Sequence, residues 1–142
     1  MITRMEHVAL SVSNLDRSIS FYCDILELSL IRIIEADPAL NLGAVVGMPG
    51  CSARIAHLES ETAMLELFEY VNPKGQPISP DRKQADRGFI HIGFSSTDAR
   101  GDYKRFCALE IKTIGEPVEF RPGVWIFYFY GPDGEVCELR ET

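Results

Sequence analysis

The stretch His7-Val8-Ala9-Leu10-Ser11-Val12-Ser13-Asn14-Leu15-Asp16-Arg17-Ser18-Ile19-Ser20-Phe21-Tyr22 decides the fold, because its plan starts again at His91-Ile92-Gly93-Phe94-Ser95. An offset of 84 positions places His7 on His91, Ser11 on Ser95 and Cys23 on Cys107. Self-similarity on this scale means repeated supersecondary units, so both halves must share a plan. Residues 5–13 and 89–96 alternate apolar and polar side chains, the period of a half-buried strand. A capping sequence follows each, Ser13-Asn14-Leu15-Asp16 and Thr97-Asp98. Leu15, Ile19, Tyr22, Ile25 and Leu26 then recur at helical spacing, as do Ala99, Tyr103, Phe106 and Leu109, the second stripe weakened by Gly101.

Further strands are expected at 28–35, 52–58 and 63–70 in the first half, and at 111–115, 123–130 and 135–140 in the second. Gly131-Pro132-Asp133-Gly134 is a turn signal between the last two. Each half therefore reads βαβββ, and the fold class is α+β. Residues 71–87, with Pro73, Pro77 and Pro80, read as a linker between modules 1–70 and 88–142 of one domain.

Strand parity sorts the chemistry. Successive side chains point to opposite faces, so His7, Ala9 and Ser11 oppose Val8, Leu10 and Val12, while His91, Gly93 and Ser95 oppose Ile90, Ile92 and Phe94. Glu66 opposes Leu65 and Leu67, and Glu138 opposes Cys137 and Leu139. The apolar faces must meet the helices, so His7, Glu66, His91 and Glu138 belong to the faces turned away from them, consistent with a shared concave cavity. Two imidazoles and two carboxylates balance a 2+ charge, and their nitrogen and oxygen donors suit Ni, Co, Zn, Fe or Mn. In the run 125–130, parity separates Trp125, Phe127 and Phe129 from Ile126, Tyr128 and Tyr130, and leaves open which set lines a cavity.

At 142 residues, 46% hydrophobic and 25% charged, the chain is long enough to bury a core without disulfide support. A net charge of −7, with 14 Lys and Arg against 21 Asp and Glu, argues against a nucleic-acid partner. No stretch approaches the roughly 20 apolar residues of a membrane span, and the N-terminus lacks the apolar core of a signal peptide. Cys23, Cys51, Cys107 and Cys137 form no Cys-x-x-Cys pair and sit mostly in apolar runs, as reduced core thiols do, which favours the cytoplasm. His57 is expected to be structural or exposed, Glu59, Glu61 and Glu69 to form a solvated surface, and Cys23 and Cys107 to be core. The Gly-rich segment 38–51 has the composition of either a cavity cover or an ordinary connection.

Residues 7–22, Met64-Leu65-Glu66-Leu67-Phe68, Gly88 through Phe94 and Gly131 through Leu139 together resemble the vicinal oxygen chelate superfamily, which includes glyoxalase I, methylmalonyl-CoA epimerase, extradiol dioxygenases and fosfomycin- and bleomycin-resistance proteins. The resemblance spans nearly all of 1–142 and implies two paired βαβββ modules curving into a half-barrel, helices outside, around one divalent metal. It implies His7, Glu66, His91 and Glu138 as ligands, the pattern of bacterial glyoxalase I. Extradiol dioxygenases use only the positions of His7, His91 and Glu138, and methylmalonyl-CoA epimerase usually has Gln at the Glu66 position. Glu66 therefore tilts the reading toward a glyoxalase-like lyase or isomerase that abstracts a proton beside a carbonyl, with Glu138 as base and Glu66 opposite. The resemblance further implies a small-molecule substrate and a homodimer, while no glutathione-binding set is transferable. The alternatives are an iron-dependent dioxygenase, an epimerase-like isomerase and a metal-free drug-sequestering protein.

Overall fold

A computed structural model describes residues 1–37 and 41–142, so Pro38, Ala39 and Leu40 of the Gly-rich segment lie outside the described residues. The chain divides into two compact units, Met1–Pro77 and Ile78–Thr142. Each carries a four-stranded mixed sheet and a helix packed on one face, which is the expected α+β class.

In the first unit, β1 (His7–Ser11) leads to α1 (Leu15–Ser20), whose first turn is closed by the Asn14 side chain accepting from Arg17 N–H at 2.9 Å. A cap of this kind contributes about 1 kcal/mol. The helix widens into a π turn over Phe21–Ile25 and ends where Glu27 takes φ +62°. Strands β2 (Ser29–Ile34), β3 (Ser52–Glu59) and β4 (Met64–Asn72) complete a sheet of order β1-β4-β3-β2, with β1 parallel to β4 and the other pairs antiparallel. A short helix, α2 (Leu42–Val46), lies between β2 and β3 in the segment read only as a connection or cover. It stops at Gly47, whose φ of +71° is left-handed and costs glycine little. Leu15, Tyr22, Leu58 and Leu67 are fully buried, and α1 packs on β3 and β4, so the apolar parity of these strands is spent on the helix.

The second unit repeats the plan. β5 (Ile92–Ser96), α3 (Ala99–Ala108), β6 (Val118–Arg121), β7 (Val124–Tyr130) and β8 (Val136–Glu141) form a sheet of order β5-β8-β7-β6, with β5 parallel to β8. Gly101, which sequence counts against α3, lies where the capping Asp98 carboxylate folds over it to accept its N–H at 2.9 Å. A Cβ there would collide with that carboxylate. The core is aromatic: Phe106 of α3 meets Phe127 and Phe129 edge-on at 5.6 and 4.9 Å, a favoured ring geometry. This resolves the parity of β7. Phe127 and Phe129 face the helix, so Tyr128 lies on the other face.

Several expectations are corrected. No regular strand forms at 111–115; Thr113 makes one isolated bridge to Phe129, and the edge strand is Val118–Arg121. Gly115 and Pro117 interrupt the ladder before it, and along the edge strand Val118 and Phe120 alternate with Glu119 and Arg121. Leu109 is half exposed rather than part of the buried stripe. Cys107 is exposed, not core, and Cys23 only half-buried, while Cys51 and Cys137 are buried. Glu69 is half-buried and paired with Arg54 at 3.2 Å rather than freely solvated.

Candidate metal and substrate site

In the first unit, β1 and β4 run parallel with Ala9 beside Glu66, and this register brings His7 Nε2 to 3.4 Å from Glu66 Oε2. In the second, β5 and β8 pair Gly93 with Glu138, and His91, just before β5, holds Nε2 at 3.3 Å from Glu138 Oε2. His7 and Glu66 therefore meet in the first unit, and His91 and Glu138 in the second.

The ring tautomers follow from what surrounds them. Glu6 Oε2 lies 2.8 Å from His7 Nδ1, and a carboxylate only accepts, so that nitrogen carries the proton. Gln84 donates its amide to Ile90 C=O at 3.1 Å, which turns its oxygen toward His91 Nδ1 at 3.4 Å, with the same consequence. Both rings thus aim an Nε2 lone pair at a carboxylate oxygen. Two such groups repel unless a cation, a proton or a metal, lies between them. Donors each about 2.1 Å from a metal lie about 3.0–3.4 Å apart at octahedral to tetrahedral angles, so both pairs fit the edge of a coordination shell. Carboxylate or amide support behind Nδ1 is also how ligating histidines are normally held. Among the described residues, no three His, Cys, Asp or Glu gather as a cation site.

Sequence reasoning missed what stands behind the glutamates. His57 on β3 pairs in register with Glu66, is buried, and sits with Nε2 3.2 Å from Glu66 Oε1. Arg32 donates Nε–H to its Nδ1 at 3.1 Å, so the His57 proton is on Nε2 and its lone pair is used. This is the opposite tautomer to His7 and His91. His57 is a carboxylate holder, not a metal donor, and its register opposite Glu66 was the available signal. The equivalent place in the second unit is Tyr128, in register with Glu138 and donating its O–H to Glu138 Oε2 at 2.7 Å. Burial, reinforced by that hydrogen bond, pushes the phenol up to about 12, so it stays a donor throughout the neutral range. The Glu6 hydrogen bond, helped by the charge of Glu66, raises the His7 pKa, and the Glu6 carboxyl is lowered by the same bond.

The second unit also contains a cavity of about 480 Å³. Ile114, Val118, Phe120 and Ile126 supply apolar walls, while Tyr128, Glu138 and Arg140 supply polar groups. One predicted ligand therefore lines a space large enough for a small molecule.

The repeated βαβββ plan is matched by known proteins. A family profile described as the Glyoxalase/Bleomycin resistance protein/Dioxygenase superfamily matches residues 4–139. The chain belongs to this superfamily. It is 28% identical over 137 residues to a probable lactoylglutathione lyase of Synechocystis sp., covering 96% of this chain and 93% of that protein. A glyoxalase family protein from Bacillus cereus shares the fold with a TM-score of 0.88 at 21% identity, over 99% of this chain and 94% of that one. A fosfomycin resistance protein from Listeria monocytogenes, solved with Mn(II) and sulfate, shares it with a TM-score of 0.66 at 18% identity, over 100% and 94%. Superfamily membership thus brings divalent-metal chemistry within the fold's known range. No helix among the described residues is long and apolar enough to cross a membrane.

Proposed function

We propose that the chain is a metal-dependent lyase or isomerase of glyoxalase type, in which His7, Glu66, His91 and Glu138 hold one divalent cation and Glu138 moves a proton beside a substrate carbonyl. The observation that carries this reading is the pair of Nε2 lone pairs, each directed at a glutamate oxygen 3.3–3.4 Å away and each fixed by an acceptor at Nδ1. When bound, the cation would draw electron density from a carbonyl oxygen and acidify the neighbouring C–H. Glu138 is the better placed base, because it lines the cavity where a substrate would lie. Its Oε2 is kept oriented by the Tyr128 hydroxyl, and apolar side chains line the same cavity. Glu66, held at Oε1 by His57, is restrained and serves as the fixed carboxylate.

Solvent deuterium exchange at the substrate carbon tests the assignment, with methylglyoxal hemithioacetals screened first and acyl-CoA thioesters second. Glu138→Gln is expected to slow exchange by roughly 10²–10⁴-fold. Exchange at the wild-type rate in that variant removes Glu138 as base.

One observation favours a second reading. Because His57 already engages Glu66, the cation could be held by His7, His91 and Glu138 alone, the dioxygenase pattern. Oxygen uptake with catechols, unaffected by Glu66→Gln, would select that reading over the first.

A further inference from the structure

We propose that Arg140 makes the second unit's cavity a receptor for a substrate bearing an oxyanion, a carboxylate or a phosphate, a few bonds from the reacting carbon; this rests on the reading of Glu138 as the proton-transfer residue. Glu138 and Arg140 are two positions apart on β8, so they share a face about 7 Å apart along the strand, and both line the same cavity. Arg140 Nε is buried and has no hydrogen-bond partner among the described residues. A guanidinium is a fork of charged donors, and one left unpaired carries a desolvation cost that an oxyanion brought against it from the cavity would lessen.

The acidic neighbours do not fill the role. Glu138 Oε2 accepts from Tyr128 and faces His91. Glu141 points to the other face, where it accepts the Ala99 N–H that opens α3, and Glu119 accepts from Gly123 N–H in the β6–β7 turn. Glu116 lines the cavity yet forms no ion pair with Arg140. The remaining walls are apolar, and Val118 and Phe120 stand 64% and 77% exposed at the cavity, unused by the unit's own core. Apolar walls strengthen a charged hydrogen bond formed between them. The ligand they describe has an apolar middle, an oxyanion at the Arg140 end and a carbonyl at the Glu138 end. Guanidinium geometry suits carboxylate and phosphate alike.

The test titrates 3-phenylpropionate, phenyl phosphate and the uncharged 3-phenylpropanol into chelator-treated and nickel-loaded protein by calorimetry. At least one anion should bind about tenfold or more tightly than the alcohol, the better of the two identifying the oxyanion. In Arg140→Gln the preference should fall to within about twofold, and Arg140→Lys should recover part of it. With ¹⁵N-arginine labelling, the Arg140 Nε–H resonance of the unmutated protein should move with the anion and not with the alcohol, a readout that needs no variant to fold. An absent anion preference in the wild type, a preference intact in Arg140→Gln, or an unmoved Nε–H resonance overturns the proposal. Anion preference in the chelator-treated protein, in a chain that takes up no nickel, would sink the metal-dependent reading and leave the receptor standing. Nickel binding without anion preference would do the reverse.

Discussion

The two units carry the same backbone plan and the same His–Glu pair, yet they support the glutamate differently. In the first unit Glu66 is backed by a buried imidazole whose tautomer is set by Arg32, a chain of groups with one arrangement. In the second, Glu138 is backed by the Tyr128 hydroxyl and opens onto a cavity. Register is what the repeat preserves, because shifting a strand by one residue would turn every donor to the wrong face. The residue opposite each glutamate is free to diverge. A locked carboxylate suits a permanent ligand, and one held by a single hydroxyl beside open volume suits a group that must exchange a proton.

The cores differ as well, and this offers the largest effect by which the comparison can be broken. The second unit concentrates packing on Phe106, whereas the first spreads it over Leu15, Tyr22, Leu58 and Leu67. Phe106→Ala should cost about 3–5 kcal/mol and Leu67→Ala should fall at the lower end of about 2–5 kcal/mol. Urea unfolding midpoints measure both, and a Leu67→Ala loss equal to that of Phe106→Ala would remove the contrast.

A smaller effect sharpens the difference in carboxylate support. His57→Leu should weaken nickel binding about 10–100-fold, with partial recovery in His57→Gln, whose amide can again donate to Glu66. Tyr128→Phe should lose roughly tenfold, the worth of one hydrogen bond to a charged acceptor. Calorimetric nickel titrations decide it, and unchanged affinity in His57→Leu would mean that Glu66 needs no support.

The smallest effect concerns the supports at Nδ1, a carboxylate for His7 and an amide for His91. The His7 pKa is raised above 6.5, so in the metal-free protein its contribution to stability is complete below 6.5 and is lost as pH rises through the raised value. Metal must displace that proton, so nickel affinity should climb as pH passes the same point. Glu6→Gln should move both the His7 midpoint, followed by NMR, and the rise in affinity to lower pH. A midpoint unmoved by that change would show that Glu6 does not set it.

Much of this was legible in the sequence, for physical reasons. Period-2 alternation is dictated by the pleat, so parity placed Glu66 opposite Leu65 and Leu67, and Glu138 opposite Cys137 and Leu139, without coordinates. Ser13-Asn14-Leu15-Asp16 and Thr97-Asp98 were readable as capping segments because short side-chain acceptors before a helical stripe have few other uses, and the structure gives the cap to Asn14 and Asp98. The partners across strands were not readable. His57 and Tyr128 gain their roles from interstrand register, which depends on loop lengths and bulges such as those in β2 and β3. Gln84 lies in a stretch whose prolines signal only a linker, yet it orients His91. Strand β6 is only four residues long and directly follows Gly115 and Pro117, so its alternation is too short to stand out from a turn.

The most direct measurement is metal content per chain for the wild type, His7→Ala and Glu138→Gln, one variant in each unit. One equivalent of nickel, cobalt, zinc, iron or manganese per wild-type chain, lost from both variants, is the result predicted by the proposal that His7, Glu66, His91 and Glu138 hold one ion. Two equivalents in the wild type with one retained in each variant, or no metal taken up at all, would contradict the account.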